Sequence, residues 1–174
     1  MPPVFHKLML ATLIAATLAG CGQQSGSTTA LEPIEISSGT SCSLDGMLLA
    51  DYPGPKAQIH YAGQAEPEFF CDTMEMFHIF LNPEQVGTVR GLYVQDMGRA
   101  NWDEPRGNWI DAKTAYYVPG SKRHGSMGPT IASFALEKDA ANFAAQYGGK
   151  VMRFADITPG MAVLDGGALH DSNM

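Results

Sequence analysis

Sulfur-bearing side chains lie close together around one short turn early in the chain. Cys42 is followed five residues later by Met47, and the Asp45-Gly46 dipeptide between them is typical of tight turns. Such a turn would bring a thiol and a thioether together, and soft metals such as copper(I) prefer these two ligand types. Spacing alone leaves a second interpretation open, in which both side chains are buried as ordinary core residues.

A second candidate pair lies in the glycine-rich, basic segment "KRHGSMGP", residues 122–129. His124 and Met127 are three residues apart there. Methionine usually fills gaps in hydrophobic cores, and a polar loop explains its presence less easily than a helix does. His124 is therefore a candidate nitrogen ligand and Met127 a candidate sulfur ligand. The competing interpretation is a hairpin connection whose methionine packs against the body of the protein.

A third set follows helical spacing, with Cys71, Met74 and His78 at positions i, i+3 and i+7 on roughly one face. For this set we favour a structural interpretation, because Met74 also belongs to an apolar stripe and a histidine such as His78 is more often a surface or hydrogen-bonded core residue. A Cys71–His78 catalytic pair has no third group to orient it. The sequence also lacks the G-x-S-x-G, H-E-x-x-H and phosphate-loop motifs, and it predicts a protein that is not an enzyme.

The first twenty residues have the pattern of a bacterial signal peptide. Lys7 precedes an apolar run, Leu8 to Leu18, that is too short to span a bilayer. The run ends in Leu18-Ala19-Gly20-Cys21, which resembles a lipobox and predicts lipidation of Cys21. The competing interpretation is an ordinary secreted protein with an unmodified cysteine. Gly22, which is not aspartate, favours the outer membrane as the anchoring site.

Export to the periplasm changes what the remaining cysteines can do. Disulfides form readily in that oxidising compartment, so a Cys42–Cys71 disulfide is the main alternative to a metal site. The formal net charge is −7, which makes nucleic acid an unsuitable partner. Apolar residues make up 45% of the chain, enough for a packed core.

The organisation after the signal peptide predicts an α+β fold. Residues 21–38 begin rich in Ser, Thr and Gly and predict a flexible tether without core residues. The pattern strand, strand, helix, strand then occurs twice, in a first unit over residues 39–98 and a second unit with a tail over residues 113–174. A loop over residues 99–112 connects them. Each unit is expected to pack one helix on a small sheet.

Local signals place the individual elements. In the first unit "GMLLADY" and "AQIHY" are the predicted strands, "CDTMEMFHIFL" the helix and "VRGLYVQDM" the closing strand. Asp72 and Glu75 have the spacing of a capping box at the start of that helix. In the second unit the strands are "TAYYVPG" and "PTIASFA", followed by the helix "LEKDAANFAAQYGG" and the strand "KVMRFADI".

Several of these stretches together resemble the NosL family, the accessory lipoproteins of nitrous oxide reductase. They are "DGM", "YPGPKAQIHY", "MF" on the first helix and "SMGPTIASFALEKDAANFAAQYGGKVMRF". The similarity runs from Cys42 to Ile157 and includes the lipobox. It implies two successive ββαβ units and a periplasmic, lipid-anchored protein that delivers copper(I) to the reductase for its copper–sulfide cluster. The implied partners are nitrous oxide reductase and its maturation transporter complex.

The resemblance also bears on the ligands. Many family members carry Cys-x-x-Cys-Gly-Met at the first motif, and Asp45 stands here where the second cysteine is expected. A site of Cys42 and Met47 is therefore favoured, with Met127 of "SMGP" as the second methionine and His124 as the nitrogen ligand. Cys71 matches no trusted family position and is expected to contribute little. The alternative function is a structural assembly lipoprotein with a Cys42–Cys71 disulfide and no metal.

Overall fold

The computed structural model describes residues 31–82, 84 and 87–164. The predicted signal peptide, the lipidation site Cys21 and the first part of the tether lie outside the described residues. Within the described ranges, no helix is both long enough and apolar enough to cross a membrane.

The first ββαβ unit contains strands β1 (Ala57–Tyr61) and β2 (Glu68–Phe70), helix α1 (Thr73–Phe80) and strand β3 (Val89–Gln95). All pairings are antiparallel, and a further strand, β4 (Trp109–Asp111), extends the sheet to the order β2-β1-β3-β4. The connecting loop therefore contributes a strand to the first sheet. Helix α1 packs against β1 and β2, as the fold prediction requires.

Strand β1 is buried along its whole length because both faces of the sheet are covered. Ala57, Ile59 and Tyr61 alternate on the face that enters the main hydrophobic core. Gln58 and His60 point to the opposite face, where the Gln58 amide exchanges two hydrogen bonds with the backbone of residue 34. A polar side chain thus mimics the ladder that another strand would provide.

The tether prediction is wrong for its last eight residues, because residues 31–38 lie against the first sheet. Ile36 is 5% exposed and packs beside both cysteines. The Tyr93 hydroxyl donates to the carbonyl of Leu31, and the Trp109 indole N–H donates to Glu35 at 3.2 Å. The missing periodicity misled the prediction, since this segment is fixed by side chains of the sheet and forms no regular ladder.

The second unit repeats the ββαβ order and carries a small extra hairpin. Its three-stranded sheet has the order β8-β5-β9, and its helix packs on β5 and β8. The elements are β5 (Tyr116–Val118), β6 (His124–Gly125), β7 (Gly128–Pro129), β8 (Ala132–Phe134), α2 (Glu137–Tyr147) and β9 (Met152–Arg153). Strands β6 and β7 pair only with each other and form the β6–β7 hairpin.

One predicted strand of the first unit is wrong. Within "GMLLADY", Leu48 forms an isolated bridge to Ser41, and the next three residues, Leu49–Asp51, form a 3-10 helix. Leu49 is fully buried in a small cluster with the cysteines, so its apolar character serves this cluster and no sheet face. The missing strand of the unit is β2, whose three residues are too few to show a clear alternation.

The two units share one core. The ring of Phe77 on α1 packs edge to face against that of Tyr117 on β5, with 5.0 Å between the ring centroids, and its centroid lies 5.3 Å from that of Phe154. Where β3 ends, the Ser133 hydroxyl of β8 donates to the Gln95 carbonyl at 2.6 Å. Aromatic packing and this buried hydrogen bond fix the second unit on the first, which places the β6–β7 hairpin close to the start of α1.

Candidate metal centre

The predicted turn after Cys42 is present. The Cys42 amide donates to the Met47 carbonyl at 2.8 Å, and the Gly46 amide donates to the Cys42 carbonyl at 2.9 Å. Gly46 has φ +79°, a backbone conformation that glycine adopts without strain. The turn directs the Cys42 side chain inward, to 3% exposure, while Met47 stays half-buried.

A second thiol lies opposite Cys42. Cys71 precedes the N-cap of α1 and is fully buried. The ligand atoms of Cys42, Asp45, Cys71 and Glu75 all lie within 4.8 Å of one another. We call Cys42, Cys71 and Glu75 the thiol pocket, because these three are buried and Asp45 is exposed at its edge. Both thiols are free in the structure.

Glu75 enters the thiol pocket instead of completing the predicted capping box. Asp72 caps α1 as expected by accepting from the Met74 amide at 2.8 Å. The Glu75 Oε2 atom lies 3.3 Å from the Cys42 Sγ atom and accepts the Cys71 amide N–H at 3.1 Å. Asp72 therefore caps the start of the helix as predicted, whereas the Glu75 side chain contacts the two cysteines.

Interactions in the pocket shift the pKa values of the two thiols in opposite directions. The side-chain hydrogen bond from Cys71 lowers the pKa of Cys42 from 9.0 to about 6, against the opposing effect of burial, and the amide of Leu44 assists at 3.4 Å. The same hydrogen bond to Cys42, followed by burial, raises the pKa of Cys71. Burial and the negative charge of Cys42 raise the pKa of Glu75 to about 7. The pKa of the Cys42 thiol is thus shifted toward ionisation and that of the Cys71 thiol away from it, while both sulfur atoms lie within hydrogen-bond distance of the Glu75 carboxylate.

A buried lysine lies behind the pocket. The Lys56 Nζ atom donates to the carbonyls of Pro53 and Cys71 at 2.9 and 3.0 Å and to the Ser126 hydroxyl at 2.8 Å. Burial lowers the pKa of Lys56 to about 8, while the neighbouring Asp72, Cys71 and Glu75 oppose this effect. Buried charges require compensation, and Lys56 supplies the positive charge next to an anionic pocket.

The tip of the β6–β7 hairpin contacts the backbone of Cys71. Ser126, at its tip, is hydrogen-bonded to the Cys71 carbonyl, and the next residue, Met127, is 47% exposed. The hairpin backbone fits closely against α1, since a Cβ atom on Gly125 would lie 2.3 Å from the Asp72 Oδ2 atom. Glycine at this position is therefore required for the close approach of the hairpin to the start of α1.

The histidines and the helical methionine among the predicted ligands lie outside the cluster of the thiol pocket and Asp45. His124 lies exposed at the start of β6, where its carbonyl accepts the Trp102 indole N–H at 3.1 Å, and its ring is outside the cluster formed by the thiol pocket and Asp45. The helical set of Cys71, Met74 and His78 does not assemble. Met74 packs against the main core, and the His78 Nδ1 atom is hydrogen-bonded to the Ala162 carbonyl at 2.9 Å.

Cys71 and Glu75 are the residues that sequence reasoning undervalued. Cys71 was weighed as a helix residue and as a disulfide partner, and Glu75 was assigned to a cap. The available signal was that only two cysteines remain after Cys21 and that the second directly precedes a predicted helix start. The structure brings both thiols to one pocket.

A double ββαβ body with two buried thiols beside a methionine-bearing hairpin defines a small α+β protein whose donor atoms suit a soft metal. A family model described as NosL matches residues 33–162. The chain belongs to the NosL family.

Relatives and solved structures agree with this assignment. The chain is 40% identical over 169 residues to the copper-binding lipoprotein NosL of Stutzerimonas stutzeri, covering 94% of this chain and 87% of that protein. It is 43% identical over 121 residues to the copper-binding lipoprotein NosL of Achromobacter cycloclastes, covering 67% and 63%. The crystal structure of the copper chaperone NosL from Shewanella denitrificans has a TM-score of 0.71 at 39% identity, covering 76% of this chain and 98% of that one.

Proposed function

We propose that this protein binds copper(I) at a site centred on Cys42 and delivers it to nitrous oxide reductase for assembly of the copper–sulfide cluster. The observation that carries the proposal is the buried Cys42 thiol, which lies at the base of a turn that ends in Met47 and belongs to a cluster of ligand atoms that also includes the Cys71 thiol. The lowered pKa of Cys42 agrees with this role. A thiolate is an anionic soft ligand, and metal binding requires the deprotonated form. The names of the relatives agree with copper as the cargo and with a role that is not enzymatic.

The methionines suit the transfer of the metal. Met47 is half-buried and its carbonyl accepts the Cys42 amide N–H, and Met127 is exposed on the hairpin that contacts the Cys71 backbone. Thioethers are soft, do not titrate and bind less strongly than thiolate, so they allow ligand exchange with an acceptor. In this proposal Met47 and Met127 receive copper(I) at the edge of the site, and His124 is the nitrogen ligand on the same hairpin.

The proposed location follows from the sequence of the first residues. We propose that Cys21 carries the lipid anchor in the periplasm, with the outer membrane as its site, and that the reductase and its maturation transporter complex are the partners. Mass spectrometry of the intact, membrane-extracted protein should show the acyl groups on an N-terminal Cys21. An unmodified N-terminus upstream of Cys21 would contradict the anchor.

Anaerobic competition with a chromophoric copper(I) chelator tests the site. The wild-type protein should bind one copper(I), and Cys42→Ser should weaken binding by well over tenfold, more than about 1.4 kcal/mol. Met127→Leu should weaken it less. Transfer is then measured by mixing the loaded protein with apo reductase and its maturation complex and following copper in each component. Equal affinities of Cys42→Ser and the wild type would overturn the proposal.

The second candidate function is structural, and the proximity of the two thiols favours it. In that case a Cys42–Cys71 disulfide stabilises an assembly lipoprotein that carries no metal. Mass spectrometry after alkylation of protein extracted under acid quench distinguishes the two states, since a disulfide prevents alkylation of both thiols. A persistent disulfide in cells that actively assemble the reductase would support the structural role.

A further inference from the structure

We propose that Cys71 is the second thiolate ligand of copper(I), so that the metal is held between Cys42 and Cys71 within the thiol pocket. This inference rests on the proposed function and specifies its ligand set. Sequence reasoning placed Cys71 outside the site and expected its replacement to have little effect. The geometry points to the opposite conclusion.

The sulfurs lie close enough for one metal ion to contact both. Zinc–thiolate bonds are about 2.3 Å long, and two bonds of that length in a line span about 4.6 Å. The Cys42 and Cys71 sulfurs lie within 4.8 Å of each other. Each sulfur is also directed at Glu75, at 3.3 Å from Cys42 and 3.4 Å from Cys71, so both side chains converge on the same space.

The other atoms of the cluster are weaker candidates for this metal. Glu75 and Asp45 offer carboxylate oxygens, which suit harder cations than copper(I). Glu75 instead accepts the Cys71 amide N–H and orients the segment that carries the second thiol. The Asp45 Oδ1 atom accepts the Met47 amide at 2.9 Å and fixes the turn that carries the first. Both carboxylates position the thiols.

The surroundings of the pocket favour a charged metal–dithiolate unit. Ile36, Leu49, Phe69 and Trp109 pack around the cysteines and limit access of water and oxidants. Copper(I) with two thiolates carries one negative charge, and the Lys56 ammonium is hydrogen-bonded to the Cys71 carbonyl. When copper(I) binds, it replaces the S–H proton of Cys71, which is released to solvent, and the oxidation state of the metal does not change.

The test removes the competing sulfurs. The double variant Met47→Leu, Met127→Leu changes side chains that are half-buried or exposed, so its fold should be retained. If Cys71 is a ligand, this variant should bind one copper(I) with less than a tenfold loss. Copper K-edge X-ray absorption should then show two sulfur neighbours, which we assign to Cys42 and Cys71. A single sulfur neighbour in the double variant would overturn the inference.

Cys71→Ser provides the complementary measurement. It should weaken copper(I) binding by more than tenfold, in the same direction as Cys42→Ser, with thermal melting of the apo protein recorded for each. Met76→Leu is the matched control, because Met76 on α1 carries a sulfur that is fully buried like that of Cys71 but lies within the main core. Unchanged affinity in a folded Cys71→Ser protein refutes the role of Cys71 alone, whereas a wild-type protein that binds no copper(I) refutes the proposed function as well.

Discussion

Replacing Cys71 with alanine should raise the pKa of the Cys42 thiol in the metal-free protein. The pKa of Cys42 is lowered from 9.0 to about 6, and the hydrogen bond from the Cys71 side chain is the largest cause. Since one pKa unit corresponds to about 1.4 kcal/mol, the pocket favours the Cys42 thiolate by about 4 kcal/mol. Without the Cys71 donor, burial opposes ionisation, and only the neighbouring backbone amides still stabilise the thiolate.

The magnitude is large enough to measure directly. At pH 7.5 a thiol of pKa 6 is almost fully ionised, whereas a thiol of pKa 9 is ionised to roughly one part in thirty. Ultraviolet thiolate absorbance of the reduced, anaerobic protein should titrate near pH 6 in the wild type and at least one pH unit higher in Cys71→Ala. Cys42→Ser, which should lack this transition, assigns the signal. A folded Cys71→Ala protein that still titrates near pH 6 would refute the reasoning.

Three further predictions concern stability. Burial raises the pKa of Glu75 from 4.5 to about 7, so the folded state binds this proton more tightly than the unfolded state does. The apo protein should therefore lose stability as pH rises from about 4.5 to 7. The accompanying fall in melting temperature should be smaller in Glu75→Gln. In a denaturant titration, Gly125→Ala should destabilise the fold by roughly 1–3 kcal/mol, because its Cβ would meet the Asp72 carboxylate, and it should also weaken copper transfer. Gly39→Ala should have little effect, because a Cβ atom there would have no neighbour within 4 Å. A chain that begins at residue 22 should melt cooperatively. A chain that begins at residue 39 should melt at a lower temperature, because it lacks the buried side chain of Ile36. Equal melting temperatures of the two chains would show that residues 31–38 do not stabilise the fold.

Local signals were sufficient for most of the architecture. The start of α1 was predicted from the short polar side chain of Asp72, and the end of α2 from Gly148, which has φ +79°. Strand β1 was predicted from a run bounded by a proline-rich turn and a glycine. These signals act within a few residues, and a single sequence displays them directly.

The remaining features depend on contacts between distant parts of the chain. Whether Cys71 faces Cys42 is decided by how α1 packs on the sheet, and no local pattern reports that packing. Glu75 carried a valid helix-start signal and yet serves the pocket, since a carboxylate at N3 can turn toward either the cap or the neighbouring thiols. Ile36 was missed because it follows a polar, aperiodic segment, and only the cluster around the cysteines explains its burial.

A copper donor must hold the metal tightly against other acceptors and release it to the right one, and we propose that each of the two units meets one of these requirements. The thiols come from the first unit, where Cys42 and Cys71 are 3% and 0% exposed, so an acceptor cannot reach both sulfurs from solvent. On the second unit, Met127 is exposed on a hairpin whose backbone is fixed by Ser126 and by Gly125 against α1. The exposed thioether thus offers a soft ligand on a hairpin whose tip contacts the Cys71 backbone. Under the proposed function and ligand set, copper(I) leaves the thiolates by exchange onto Met127, and an acceptor that contacts the hairpin takes it without entering the thiol pocket.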